Sequence, residues 1–323
     1  MAKVFIAGLN PAWQQVFTMP HLRLDTVNRA QAYEELASGK GMNAAKILAA
    51  RGHDVTLWQV LAGHQAGENG QRIEAACARL GIRSVHAYTA GQTRVCTTLL
   101  HDGGATEVIA PFSVADDAGL AERLLAALPR ERFDAVLACG TVPAGLDEAV
   151  LAVARARLAP ALTIWDSVAG VTPDLFSRVD WLKVNADEYR MLSASWASPA
   201  APSQLPSLLI TDGAQPALVA PRGEAPVACA VPRLEGVVNP IGAGDTVTAM
   251  LADGLLRGLD ARAASGRALA AAAASCLHVL PAVWDEAEAA RVEAGLQWLD
   301  PGPDAPLASA GRAPRPEHRG SRA

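Results

Sequence analysis

The chain is expected to fold as an α/β protein with a mainly parallel central sheet and a small β appendage. Two observations predict this class. Short, continuously apolar runs such as Val55 to Leu61, Ala135 to Cys139 and Trp181 to Val184 recur between longer amphipathic stretches. Strands buried on both faces by flanking helices read in this way. Several runs also end in a polar residue or a glycine, as at Asn10, Gly140, Asp166 and Asn185, and open α/β sheets place ligands at such strand ends. A length of 323 residues, half of them hydrophobic, suffices for one large core or a core plus a smaller attachment.

In chain order, Lys3 to Leu9 reads as a buried first strand that stops at Asn10-Pro11. Residues 12 to 37 mix polar and apolar residues in short extended pieces, Val16-Phe17-Thr18, Arg23 to Val27 and Ala30 to Glu34, which would form the small sheet. Ser38-Gly39-Lys40-Gly41-Met42-Asn43 opens a helix over Asn43 to Arg51 that Gly52 stops. Then follow a strand (55–61), an amphipathic helix (67–80) and strands at 83–88, 93–100 and 106–109, the last two joined by a His101-Asp102-Gly103-Gly104 turn. A helix at 115–128, a strand at 135–139, a helix at 147–157 and strands at 162–165 and 181–184 continue the alternation. Ser193 to Ser207, rich in Ser, Ala and Pro, reads as a surface loop. Strands at 208–211, 217–220 and 227–231 precede helices at 243–257, 260–279 and 285–298. Residues 301 to 323 hold prolines, arginines and few large apolar side chains, the composition of a disordered tail.

Composition excludes several functions. The net charge of −5 and the lack of a basic stripe argue against nucleic acid or an anionic membrane as partner. Five scattered cysteines without Cys-x-x-Cys or Cys/His spacing read as reduced thiols of a cytoplasmic protein. The N-terminus runs directly into a strand pattern, unlike a signal peptide. The apolar stretch from Ala268 to Leu280 is too short to span a bilayer.

One stretch draws the chemistry together: Asn239-Pro240-Ile241-Gly242-Ala243-Gly244-Asp245-Thr246, ahead of an apolar helix. Glycines allow a sharp turn and close approach to a ligand. The first amides of the helix have no internal partners and suit a phosphate or a developing phosphoryl charge. Asp245 stands where it could take a proton from an attacking hydroxyl; a plain glycine turn with an acidic helix start remains the alternative.

These polar strand ends and glycine turns occur in a familiar order. The chain resembles the phosphofructokinase-B branch of the ribokinase-like sugar kinases, most closely in look its 1-phosphofructokinase and tagatose-6-phosphate kinase members. The resemblance rests on Asn10-Pro11-Ala12, on Ser38 to Lys46 with Gly39-Lys40-Gly41 and Asn43, and on Thr93-Arg94. Cys139 to Gly145, Asp166-Ser167, Lys183-Val184-Asn185-Ala186-Asp187-Glu188 and Gly242-Ala243-Gly244-Asp245 complete it. It covers residues 3 to 298 collinearly, and seven motifs in order say far more than any one alone.

The resemblance implies a ribokinase-like three-layer α/β/α sandwich over residues 1–300, with lid strands inserted within 12–37 and around 93–110. It implies an ATP- and Mg²⁺-dependent transfer of the γ-phosphoryl to a hydroxyl of a sugar phosphate. Asp245 would be the base, and Gly242, Ala243 and Gly244 the anion hole. Gln14, Gly39, Lys40, Gly41, Asn43 and Arg94 would bind the sugar, with Arg94 matching a phosphate. Asn185, Thr211, Gly213, Gly242 and Gly244 would meet the nucleotide. Asn185 and Glu188 would hold Mg²⁺ through water, although a helix cap also explains that pair. A homodimer through the lid is the expected assembly. Two departures bear on substrate. Gln14 stands where the family has an aspartate, and an amide both donates and accepts whereas a carboxylate only accepts. The 193–207 stretch replaces a longer helical one near the nucleotide. A kinase of an unphosphorylated sugar or nucleoside, and a catalytically weak sugar- or nucleotide-binding regulator, are the alternatives.

Overall fold

The computed structural model describes residues 1–102, 104–169, 171, 175, 177–194 and 205–301. Among these, ten strands form one sheet in the order β14-β13-β12-β11-β10-β9-β8-β1-β4-β5. The strands are β1 (Lys3–Ala7), β4 (Asp54–Ala62), β5 (Arg83–Thr89), β8 (Ala135–Cys139), β9 (Leu162–Asp166), β10 (Trp181–Asn185), β11 (Ser207–Asp212), β12 (Gln215–Ala220), β13 (Val227–Ala230) and β14 (Gln297–Leu299). From β11 through β5 every pair is parallel, and β12, β13 and β14 close one edge antiparallel. A second sheet, in the order β3-β2-β6-β7, joins β2 (Ala12–Thr18) and β3 (Ala32–Ser38) to β6 (Val95–His101) and β7 (Gly104–Ile109).

The first strand shows how the layers arise. Along β1, Val4 and Ile6 enter one apolar cluster while Phe5 and Ala7 enter the other, as period-two alternation requires. The first cluster packs α1 (Lys40–Ala50), α2 (Asn69–Arg79), α6 (Ala243–Leu256) and α7 (Ala261–Ser275) on one face. The second packs α3 (Leu120–Ala126), α4 (Ala149–Leu158) and α5 (Ala186–Ala194) on the other. The result is the expected α/β/α sandwich with a small second sheet. α8 (Glu286–Ala294) packs on α7.

Helices α1 and α6 are joined at both ends. At the C-terminal end the buried Asp253 meets His53 Nε2 at 2.9 Å, Arg257 Nε at 2.7 Å and Arg51 Nε at 3.3 Å. Burial opposes a charged Asp253, but these donors outweigh it and hold its pKa below the ordinary carboxylate value. At the N-terminal end, Asn43 Nδ2 donates to Asp245 Oδ2 at 2.8 Å. At this same end of α1, Gly41 lies so close to Gly8, just after β1, that an added Cβ would stand 2.4 Å from the Gly8 Cα.

Several boundaries differ from expectation, each for a local reason. Arg23 to Val27 is an exposed turn rather than a strand. Asn28 closes it, accepting from Arg23 N at 3.0 Å and donating to Arg23 O at 2.7 Å. The helix expected at 115–128 shrinks to α3, because Asp117 is engaged in a turn with Thr89 and Arg123. α7 ends at Ser275, and the Cys276 carbonyl accepts the amides of Val238 and Asn239 instead. The last expected helix stops at Ala294, and Gln297–Leu299 pairs with β13. α5 runs on through Ser193 to Ala194 and Ser207 opens β11; the proline-rich residues 195–204 and the tail from 302 lie outside the described residues. No helix among the described residues is long and apolar enough to cross a membrane.

Candidate active site

A cavity of about 1050 Å³ opens at the C-terminal ends of β1, β8, β10 and β11, beneath the second sheet. It is large enough for a nucleotide and a small acceptor together. Gln14, Gly39, Lys40, Gly41, Asn43, Arg94, Asn185, Glu188, Thr211, Gly213, Gly242, Ala243, Gly244 and Asp245 all line it. Residues 231 positions apart in the chain thus line one cavity, from Gln14 on β2 to Asp245 on α6.

The turn into α6 has the geometry its glycines imply. Gly242 is left-handed, with φ 85°, and a Cβ there would meet Pro281 at 2.7 Å. Thr246 N makes the first regular helical bond, to Gly242 O at 3.0 Å, so the amides of Gly244 and Asp245 precede the internal ladder. Ala243 N is turned toward Pro240 O at 3.3 Å. The Asp245 carboxylate is buried, and burial foremost, then Asp166, pushes its pKa above the ordinary value; Asn43, Lys40 and Lys183 pull the other way.

Charged groups crowd the floor beside this turn. Lys40 Nζ lies 3.2 Å from Asp166 Oδ1 and 3.3 Å from Glu188 Oε1. Asp166, at the end of β9, also faces Lys183 Nζ at 3.5 Å and accepts from Thr248 Oγ1 at 2.6 Å. Burial disfavours the Asp166 charge, yet Lys183 and Lys40 overcome it and keep the pKa low. Asp166 in turn is the main reason that the Lys40 ammonium is held charged. The Lys183 ammonium, 3% exposed, approaches the Gly244 backbone so closely that a Cβ on Gly244 would stand 3.0 Å from it. A cation thus sits beside the first turn of α6, and the cation and the helix start both favour an anion.

Asn185 and Glu188 form a reciprocal cap on α5: Asn185 N donates to Glu188 Oε2 and Glu188 N to Asn185 Oδ1, both at 2.8 Å. At the other side of the cavity, Gln14 Nε2 donates to Thr98 Oγ1 at 2.8 Å. Arg94 turns its guanidinium onto the carbonyls of Asn10, at 2.9 Å, and Pro11, at 3.3 Å. Asn10 Nδ2 donates to Thr141 Oγ1 at 2.8 Å.

Four groups that the structure brings here had no site role in the sequence reading: Asp166 and Lys183, which stand in its motifs and form a pair, Thr248, and Glu107 on β7. A lysine inside the buried run Trp-Leu-Lys-Val-Asn was a legible signal, since a charge in a buried strand needs a partner. Glu107 gave none, because the mixed run of β7 does not tell which face looks into a cavity.

The family model described as pfkB family carbohydrate kinase matches residues 14–284. A tagatose-6-phosphate kinase of Staphylococcus epidermidis is 29% identical over 272 residues, covering 77% of this chain and 84% of that protein. Among solved structures, phosphofructokinase-2 of Escherichia coli in complex with fructose-6-phosphate superposes with a TM-score of 0.75 at 16% identity, covering 91% of this chain and 99% of that one. A possible 1-phosphofructokinase of Thermotoga maritima gives a TM-score of 0.71 at 17% identity, covering 92% and 98%. With most of its length matched by the family model, and with the fold these structures share, the chain belongs to the pfkB family of carbohydrate kinases.

Proposed function

We propose that the chain is an ATP-dependent kinase of a phosphorylated sugar, of the 1-phosphofructokinase or tagatose-6-phosphate kinase type. The observation that carries the proposal is the joining of a buried carboxylate, free first-turn amides and a buried ammonium at one point of the cavity. Phosphoryl transfer asks for positioning and charge stabilisation more than covalent chemistry. Asp245, its pKa raised by burial, would accept the proton of the attacking hydroxyl while Asn43 fixes one of its oxygens. The amides of Gly244 and Asp245, with Lys183 behind them, would meet the charge that develops on the phosphoryl group. The nucleotide would extend along Thr211, Gly213 and Asn185, and the second sheet would cover the acceptor as a lid, excluding water.

The donors near Asn185 and Glu188 fit a hydrated Mg²⁺ rather than a closed cage. Each side chain caps the other's backbone, Glu188 also pairs with Lys40, and no group of three His, Cys, Asp or Glu gathers among the described residues. When bound, such an ion would supply positive charge that offsets the charge of the phosphates. Glu188 would hold its waters, and Lys40 would keep Glu188 in place. The outer face of the lid exposes Tyr33 and Val108, and Leu24 and Val27 stand exposed in the adjoining loop. This supports a homodimer through the lid, which sedimentation would test.

One observation favours an unphosphorylated acceptor instead: the Arg94 guanidinium already serves the Asn10 and Pro11 carbonyls. Turnover of ketohexose phosphates against the free sugars, read by ADP release, separates the two. A phosphate clamp predicts that Arg94→Ala raises the sugar-phosphate KM by roughly 10- to 100-fold, the worth of a charge-assisted hydrogen bond. An unchanged KM would rule out the clamp.

A further inference from the structure

We propose that Glu107 determines acceptor specificity by accepting a hydrogen bond from a sugar hydroxyl next to the one that reacts, a role that rests on the kinase function proposed above. Glu107 lies on β7 directly across from Thr98 of β6, and Thr98 stands beside Gln14's neighbour in the ladder, Cys96, two residues earlier. Side chains two apart on a strand share a face. Gln14 Nε2 donates to Thr98 Oγ1, so Gln14, Thr98 and Glu107 run in line across the inner face of the small sheet. Gln14 and Glu107 both line the cavity.

Of these three side chains only Glu107 is a carboxylate. Gln14 uses one amide hydrogen on Thr98, and Thr98, having accepted, keeps its own hydrogen to give away. Glu107 is exposed where it lines the cavity, and among the described residues no side chain hydrogen-bonds to it; Asp245 lines the same cavity. Burial first, and Asp245 next, raise its pKa, while Arg94 lowers it. Two carboxylates that line one cavity repel a phosphate placed between them. They suit the neutral, hydroxyl-bearing part of a polyol, each taking one O–H. The phosphate of the acceptor therefore lies away from the Glu107–Asp245 line, and the hydroxyl beside the reacting one lies on it.

The test uses the full-length protein and three probes: tagatose 6-phosphate, fructose 6-phosphate and fructose 1-phosphate. On the best of these, Glu107→Gln raises the acceptor KM roughly 10-fold and Glu107→Ala further, as for loss of a charged acceptor. The KM for ATP stays within twofold and kcat within threefold, because neither the anion hole nor Asp245 is touched. Single-deoxy analogues locate the partner. The analogue missing the bonded hydroxyl loses affinity on the wild type but loses nothing more on Glu107→Gln. An unchanged acceptor KM in both variants, or equal losses for every deoxy analogue, overturns the role of Glu107 and leaves the kinase function standing. A wild type that phosphorylates none of the probes or their free sugars overturns both. Glu107 is exposed on an edge strand, so a melting temperature equal to that of the wild type shows that the variants are folded.

Discussion

Gly41→Ala tests whether the contact between α1 and β1 sets the geometry of the active site. The new Cβ would lie 2.4 Å from the Gly8 Cα, whereas ordinary contacts begin at 3.4 Å, so the two backbones must part by about 1.0 Å. No rotamer relieves this, because both sides are main chain. Forced overpacking of this kind costs roughly 1–3 kcal/mol, and a domain of this size then melts some 2–10 °C lower. α1 carries Lys40 and Asn43, so the same displacement moves both against Asp166 and Asp245. A misplacement of about 1 Å in such a site costs on the order of 10²-fold in rate. Gly8→Ala provides a graded control: its Cβ would stand 2.8 Å from the Gly41 Cα, about 0.6 Å short of ordinary contact, so the loss should be smaller. Steady-state ADP release and thermal melts of both variants suffice. If both keep activity within threefold and melt normally, or if Gly8→Ala is the worse, the reasoning is wrong.

Two further predictions concern buried charge. Asp253→Ala leaves His53 and two arginines without their shared anion and should cost about 3 kcal/mol, the low end for a broken buried pair because Arg257 can turn to solvent; denaturant melts measure it. Asp166 has a lowered pKa, so it stabilises the fold above the unfolded value of about 4 and ceases to do so as pH falls through its folded value. Asp166→Asn should therefore melt well below the wild type at pH 7, with the gap closing toward pH 3, in melts across that range.

The alternation of apolar runs made a parallel sheet covered on both faces legible in the sequence, since strands such as Ala135 to Cys139 need such cover. The turn at Gly242 to Asp245 was equally legible, because glycines, small residues and an acid at a helix start serve one local geometry. What could not be read was long-range. Nothing in the sequence pairs Asp166 with Lys183 and Lys40, residues brought together only when β9, β10 and α1 converge. The strand at Gln297–Leu299 was hidden for the same reason: three residues carry too little period, and the open edge of β13 decides their conformation. Arg23 to Val27 failed in the opposite way, as a locally extended composition was overruled by Asn28 bonding back to Arg23.

Asp245→Asn is the most direct measurement. The amide keeps the shape and can still meet Asn43, but it cannot take a proton. With saturating ATP and the best acceptor, kcat should fall ~10²–10⁴-fold, the usual worth of a positioned base. Because the Asp245 pKa is raised in the folded state, its ionisation costs stability as pH climbs through that value. The variant should accordingly melt at or above the wild type at pH 8, an advantage that fades toward pH 4. A folded Asp245→Asn protein that retains phosphoryl transfer within a few-fold of wild type would contradict the assignment of Asp245 as the base, and with it the central claim about this site.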